Sequence, residues 1–223
     1  MPIETSGRRP LKTRDWPFFK NLAAWLARNG ATPNGISFMS IVFGCLAGIA
    51  FAATAHVEGW VLRGCWLAAA VCIQLRLIAN LLDGMVAVEG RKGGPVGDLW
   101  NEAPDRVSDA AIFIGAGYAA GSEPWLGYSA AVVAVFVAYV RALGASVGVG
   151  QIFLGPAAKQ QRMAMMTTLA VLTAVFPKIS SETMSSYPNP LIKGILCLVI
   201  GLGIVTAWNR LRRIATLLRE KVP

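Results

Sequence analysis

The chain has 223 residues, 55% of them hydrophobic and 15% charged, with 21 Lys and Arg against 12 Asp and Glu and a formal net charge of +9. A mean hydropathy of +0.53 excludes a disordered polar chain and points to a polytopic membrane protein, because several apolar stretches approach the roughly 20 residues a helix needs to cross hydrocarbon. The basic excess has no nucleic-acid fold signature behind it and reads as membrane topology and attraction to anionic lipid headgroups, so no nucleic-acid partner is expected.

In chain order, residues 1–35 are predicted to be a cytoplasmic tail followed by an amphipathic juxtamembrane helix. Trp16, Phe19, Ala23 and Leu26 recur at helical spacing with Lys12, Lys20 and Arg28 around them, the pattern of a helix lying in the interface. The start is basic and polar, without the short apolar run and cleavage site of a signal peptide. The turn-forming segment 29–34, NGATPN, ends this helix.

Residues 36–210 are predicted to form an all-α domain of six transmembrane helices: Ile36 to Ala55, Trp60 to Leu82, Asp98 to Ala120, Trp125 to Val147, Gln160 to Phe176, and Leu191 to Trp208. The second and third each join an apolar part to a polar end, which requires those ends to line a shared polar cavity. Trp60, Trp125 and Trp208, near span ends, read as interfacial anchors. Lys178 to Pro190 reads as a polar outer loop, and 211–223 as a basic cytoplasmic tail. Cys45, Cys65, Cys72 and Cys197 fall in apolar spans without disulfide or metal spacing, so buried thiols are expected. His56 is assigned no role.

Charge sets the orientation. Fifteen of the 21 basic residues fall on one side, from Arg8 to Arg28, at Arg91 and Lys92, at Lys159 and Arg162, and from Arg210 to Lys221; Arg63, Lys178 and Lys193 fall opposite. The positive-inside rule therefore places both termini in the cytoplasm. Arg76, Arg106 and Arg141 lie within spans.

The polar ends carry the chemistry. Asn80, Asp83, Gly84 and Ala87 share one helical face, and Gly97, Asn101, Asp105 and Asp109 repeat every four residues on a second helix. Carboxylates buried in hydrocarbon need cations. Asp and Asn oxygens without nearby His or Cys suit Mg2+, Mn2+ or Ca2+ and disfavour zinc.

NLLDGMVAV, eight residues, then GDLWNEAPD resembles the CDP-alcohol phosphatidyltransferase signature, DxxDGxxAR followed after eight or nine residues by GxxxDxxxD. Asp83, Gly84, Ala87, Gly97 and Asp105 match. Asn80 and Asn101 replace two Asp, and Val88 replaces the Arg. The chain is also similar to a bacterial branch with NxxDG and NExxDxxSD. The resemblance implies six transmembrane helices after an amphipathic helix. It also implies transfer of a phosphatidyl or phosphoalcohol group from a CDP-linked donor such as CDP-diacylglycerol to a hydroxyl acceptor, releasing CMP, in phospholipid biosynthesis at a bacterial inner membrane. Two Mg2+ or Mn2+ ions are implied, with Asn80, Asp83, Asn101, Asp105 and Asp109 as the expected metal set and Asp105 as the general base. Homodimers occur in the family, but no interface is legible here.

Around that set, alternatives stand side by side. Gly84, Ala87 and Gly97 admit close approach of a nucleotide or serve helix packing. Glu102 or Asp109 restores the charge lost at the two Asn, or pairs with Arg106. Arg141, Lys159 and Arg162 resemble family positions that bind phosphate, while Lys159 and Arg162 also suit flanking topology charges. Arg76 contacts phosphate or pairs with a carboxylate, Arg91 could reach a phosphate, and Pro104 could kink its helix. A catalytically silent scaffold of the same fold and, more remotely, a transporter are the other readings.

Overall fold

The computed structural model describes residues 15–89, 97–176 and 190–220. Among them are seven helices and no strand: α1 Pro17–Arg28, α2 Pro33–Ala53, α3 Gly59–Glu89, α4 Gly97–Gly117, α5 Pro124–Ser146, α6 Lys159–Val175 and α7 Pro190–Glu220. Proline opens α1, α2, α5 and α7, at the position where its missing N–H is not needed and its fixed φ suits the helix. Between α1 and α2 the chain turns at Gly30, with φ +83°, and the Thr32 hydroxyl accepts from the Gly35 amide at 3.2 Å to cap α2.

Among the described residues four helices are long and apolar enough to cross a membrane, Pro33–Ala53, Gly59–Val88, Pro124–Ser146 and Leu191–Glu220, and their apolar 18-residue stretches have mean hydropathies of 2.2, 1.8, 1.8 and 2.2. The expected six is thus four by length and composition. α4 carries Asp98, Glu102, Asp105, Arg106 and Asp109, and α6 has only 17 residues and opens with Lys159, Gln160, Gln161 and Arg162. Neighbouring helices cover part of each polar set: Asp109 and Arg162 are buried, whereas Gln160 and Gln161 are exposed. α3 and α7 run past the predicted span ends, to Glu89 and Glu220. Much of the predicted basic tail is therefore the last turns of α7, while residues 178–189 of the predicted outer loop and the polar loop 90–96 lie outside the described residues.

Successive helices alternate in direction. Ser37 near the start of α2 meets Asp83 near the end of α3, and Arg76 of α3 meets Asp105 near the start of α4. At the opposite end the Ala120 amide, just after α4, donates to Thr54 just after α2, and Lys193 of α7 pairs with Glu123 at the start of α5. The polar ends of α2, α3 and α4 are thereby gathered on one side.

The main core joins Phe51, Trp66, Ile73, Ile112, Phe113, Met163, Met166, Leu169 and Leu196. Glycine brings α2, α4 and α5 into backbone contact: a Cβ on Gly115 would lie 2.1 Å from the Gly48 carbonyl oxygen, and one on Gly117 2.8 Å from Gly127 Cα. Such close approach replaces the hydrophobic drive that lipid removes. α1 lays Phe19, Leu22, Ala23 and Leu26 on Leu82 and Val86 of α3, leaving Trp16, Phe18 and Trp25 exposed. The expected amphipathic helix is present, with Trp16 at its edge rather than in its buried face. The expected buried thiols are corrected: Cys45, Cys65 and Cys72 are only partly buried and Cys197 is exposed, because they sit on outer helix faces.

Candidate active site

The polar ends of α2, α3, α4 and α6 converge. On α3, Arg76, Asn80 and Asp83 follow at helical spacing, and Asp105 and Asp109 stand one turn apart on α4. Asp109 is 1% exposed and accepts from two guanidiniums, Arg76 Nη2 on Oδ1 at 2.6 Å and Arg162 Nη2 on Oδ2 at 2.8 Å. Asp105 Oδ1 receives Lys159 Nζ at 2.5 Å, Arg76 Nη2 at 3.3 Å and the Asn80 side-chain amide. Asp83 is buried; its Oδ2 accepts from the Ser37 hydroxyl at 2.8 Å, and its Oδ1 has no hydrogen-bond partner. The Ser108 hydroxyl donates to the Pro104 carbonyl at 2.7 Å and to the Ser40 carbonyl at 3.1 Å, tying α4 to α2. α4 runs through Pro104 as a helix.

A second cluster sits one turn earlier on α4. Glu102 binds Arg106 at 2.5 Å and Arg141 of α5 through both carboxylate oxygens at 2.5 Å. The Arg141 guanidinium also lies 5.7 Å from the Phe153 ring centroid, within cation–π range.

The loop from α5 to α6 delivers Lys159 and Arg162, and α7 fixes that loop. Arg210 donates from Nε to the Leu154 carbonyl at 2.8 Å and from Nη1 to the Val137 carbonyl at 2.9 Å. The Thr206 hydroxyl accepts from the Ala157 amide at 3.0 Å, while Arg162 Nη1 donates to the Ala157 carbonyl at 2.7 Å. The sequence reading missed Ser37, Ser40, Ser108, Thr206 and Arg210. Ser37 and Ser40 had a legible signal, two hydroxyls spaced three apart in an apolar span. Arg210 looked like one more flanking charge.

The predicted residues thus divide. Asn80, Asp83, Asp105, Asp109, Lys159 and Arg162 come together. Arg141 stands in the Glu102 cluster. Gly84 is buried and Ala87 partly buried on the last turns of α3. Gly97 and Asn101 lie on α4, but their surroundings fall outside the described residues, as do Arg91 and Lys92. Glu102 and Asp109, the two candidates for supplying a missing metal charge, are both held by arginines. Arg76 takes the carboxylate-pairing alternative.

The donor set accommodates a hard divalent cation at Asp83. A buried carboxylate oxygen without a partner is costly, a cation removes that cost, and the neighbouring amide and carboxylate oxygens are the ligand type such ions prefer. Among the described residues no three His, Cys, Asp or Glu gather in a metal-sized group. A separate apolar pocket of about 290 Å³, lined by Ala164, Met165, Leu169, Leu172, Leu191 and Ile195, lies deeper along α6 and α7.

With the geometry in place, comparison with solved structures shows that the fold is a known one. Three of the matches are structures of phosphatidylinositol phosphate synthase from Mycobacterium tuberculosis. With CDP-DAG bound, its TM-score is 0.69 at 18% identity, covering 89% of this chain and 94% of that one. In complex with manganese and citrate the values are 0.70, 18%, 89% and 89%, and in apo form 0.68, 19%, 88% and 95%. At this identity the likeness shows the fold. None of the protein-family profiles matches the chain, and no curated protein matches it in sequence.

Proposed function

We propose that the chain is a CDP-alcohol phosphatidyltransferase-like enzyme of phospholipid synthesis. It would transfer a phosphatidyl or phosphoalcohol group from a CDP-linked donor, such as CDP-diacylglycerol, to a hydroxyl acceptor. The observation that carries this reading is the convergence of Asp83, with its open buried oxygen, and Asp105 from facing helices, within a fold shared by a synthase whose structure has CDP-DAG bound.

In this reading the acceptor oxygen attacks the phosphorus that bears the alcohol. The bond from that phosphorus to the bridging oxygen breaks, and CMP leaves with the electron pair. The hydroxyl proton passes to Asp105. Lys159, Arg76 and Asn80 all bind its Oδ1, so Oδ2 is assigned the proton, and the three donors hold the carboxylate in place. Asn80 and Asp83 would hold a divalent ion, Mg2+ or Mn2+, which neutralises charge on the pyrophosphate oxygens; Asn101 is assigned to the same set. Gly84, Ala87 and Gly97 would admit the nucleotide. Lys159 and Arg162 line the phosphate side, and Arg141 the acceptor side. Asp109, gripped by two arginines, is a positioning residue in this account rather than a metal ligand.

The alternation of helix directions supports six spans with α4 and α6 included, and the positive-inside pattern puts the site and both termini in the cytoplasm. We assign the chain to a bacterial inner membrane on the motif resemblance. One observation favours a second reading, a silent scaffold: protein cations already engage the base. Incubating purified protein in detergent with CDP-diacylglycerol, Mg2+ or Mn2+ and a panel of alcohols separates the two. CMP release that Asp105→Asn abolishes supports the enzyme. No release with any acceptor, despite retained donor binding, supports the scaffold.

A further inference from the structure

Three carboxylates, Asp83, Asp105 and Asp109, share their end of the bundle with three protein cations, Arg76, Lys159 and Arg162. The motif resemblance implies two divalent ions at this place. The geometry leaves room in charge for one. Asp109 has both oxygens bound to guanidiniums on residues that are themselves almost wholly buried, so it cannot turn to a metal without stranding them. Asp105 Oδ1 is already held by an ammonium at 2.5 Å. Among the described residues Asp83 alone keeps a buried carboxylate oxygen unpartnered.

We propose that this chain binds a single divalent cation, anchored on Asp83 Oδ1, and that the Lys159 ammonium beside Asp105 replaces a second. Two ions would add four positive charges to these six described side chains, whose own charges already cancel. One adds two, equal to the two negative charges of a pyrophosphate diester, the group assigned to the donor under the proposed function. The side-chain exchanges fit together: Asn80 lacks the charge of the motif Asp and donates its amide to Asp105 Oδ1, which also takes Lys159 and Arg76.

Titrating purified protein in detergent with Mn2+ alone, by calorimetry and electron paramagnetic resonance, tests this without turnover. The expected result is one Mn2+ per chain with the signal of an isolated ion. Asp83→Asn should weaken binding at least about tenfold, since even partners behind a ligand are worth roughly 10–100-fold. Asp109→Asn should leave the stoichiometry at one. Lys159→Met, at a side chain that is 25% exposed, should admit a second ion next to Asp105. Two ions or a spin-coupled pair in the unaltered protein, no binding at all, or a single ion in Lys159→Met would each overturn the proposal. A chain that binds one Mn2+ but releases no CMP would sink the proposed function and leave this inference standing; turnover with two bound ions would do the reverse.

Discussion

Asp109→Ala is the most informative single change, because its cost can be worked from the contacts. The carboxylate is 1% exposed and neutralises Arg76, 0% exposed, and Arg162, 3% exposed over its side chain. Removing it leaves Arg162 without its bound carboxylate and Arg76, among the described residues, with the longer 3.3 Å contacts to the Asp105 carboxylate and carbonyl. Breaking a buried ion pair from one side costs about 3–5 kcal/mol, because the partner's charge stays buried without compensation. For a chain of this length that corresponds to a fall in Tm of roughly 6–20 °C, at about 2–4 °C per kcal/mol. Asp109→Asn keeps an acceptor oxygen for one arginine and should lose less. Replacing both partners, Asp109→Leu with Arg162→Met, should recover part of the loss, since an apolar pair of similar volume can match a buried ion pair. Thermal unfolding in detergent, followed by tryptophan fluorescence, reads all three. Asp109→Ala within about 1 kcal/mol of the parent would show that this carboxylate is not the buried counter-ion described here.

Three further expectations follow from other contacts. Gly115→Ala places a methyl group 2.1 Å from a backbone oxygen of Gly48, so α2 and α4 must part; a stability loss of at least about 1–3 kcal/mol is expected from overpacking, read as a lower unfolding midpoint. Arg210→Met removes two charged hydrogen bonds to the carbonyls of Leu154 and Val137, at about 1.5–3 kcal/mol for a bond to a charged group. Hydrogen exchange should rise across residues 150–158, and protection equal to the parent would refute the anchoring role. The pair Glu123 and Lys193 is partly exposed, so a double-mutant cycle on it should return no more than about 1 kcal/mol.

Helix order was readable because apolar runs and proline starts mark it directly: Pro33, Pro124 and Pro190 open helices within a few residues of the predicted spans. The spacing of Asn80, Asp83, Asp105 and Asp109 likewise told which faces would meet. What spacing could not tell was how the charges would be shared. Glu102 lies at i+4 distance from Arg106 in sequence, but its bond to Arg141 comes from α5, thirty-nine residues away. Asp109 could be read as a ligand until Arg162 arrived from α6 to take its second oxygen. Ser37 became visible only once α2 packed on the end of α3. Such pairings belong to tertiary packing, which local periodicity does not encode.

Chelators offer a last consequence of the matched charges at the centre of the bundle. A nest of bare carboxylates would repel itself when stripped of ions, and its protein would soften in EDTA. Here arginine and lysine already offset that repulsion, so under the proposed function the loss of melting temperature in EDTA should be only what ion binding at Asp83 itself supplies. Folding would then lean on ion supply through that one oxygen.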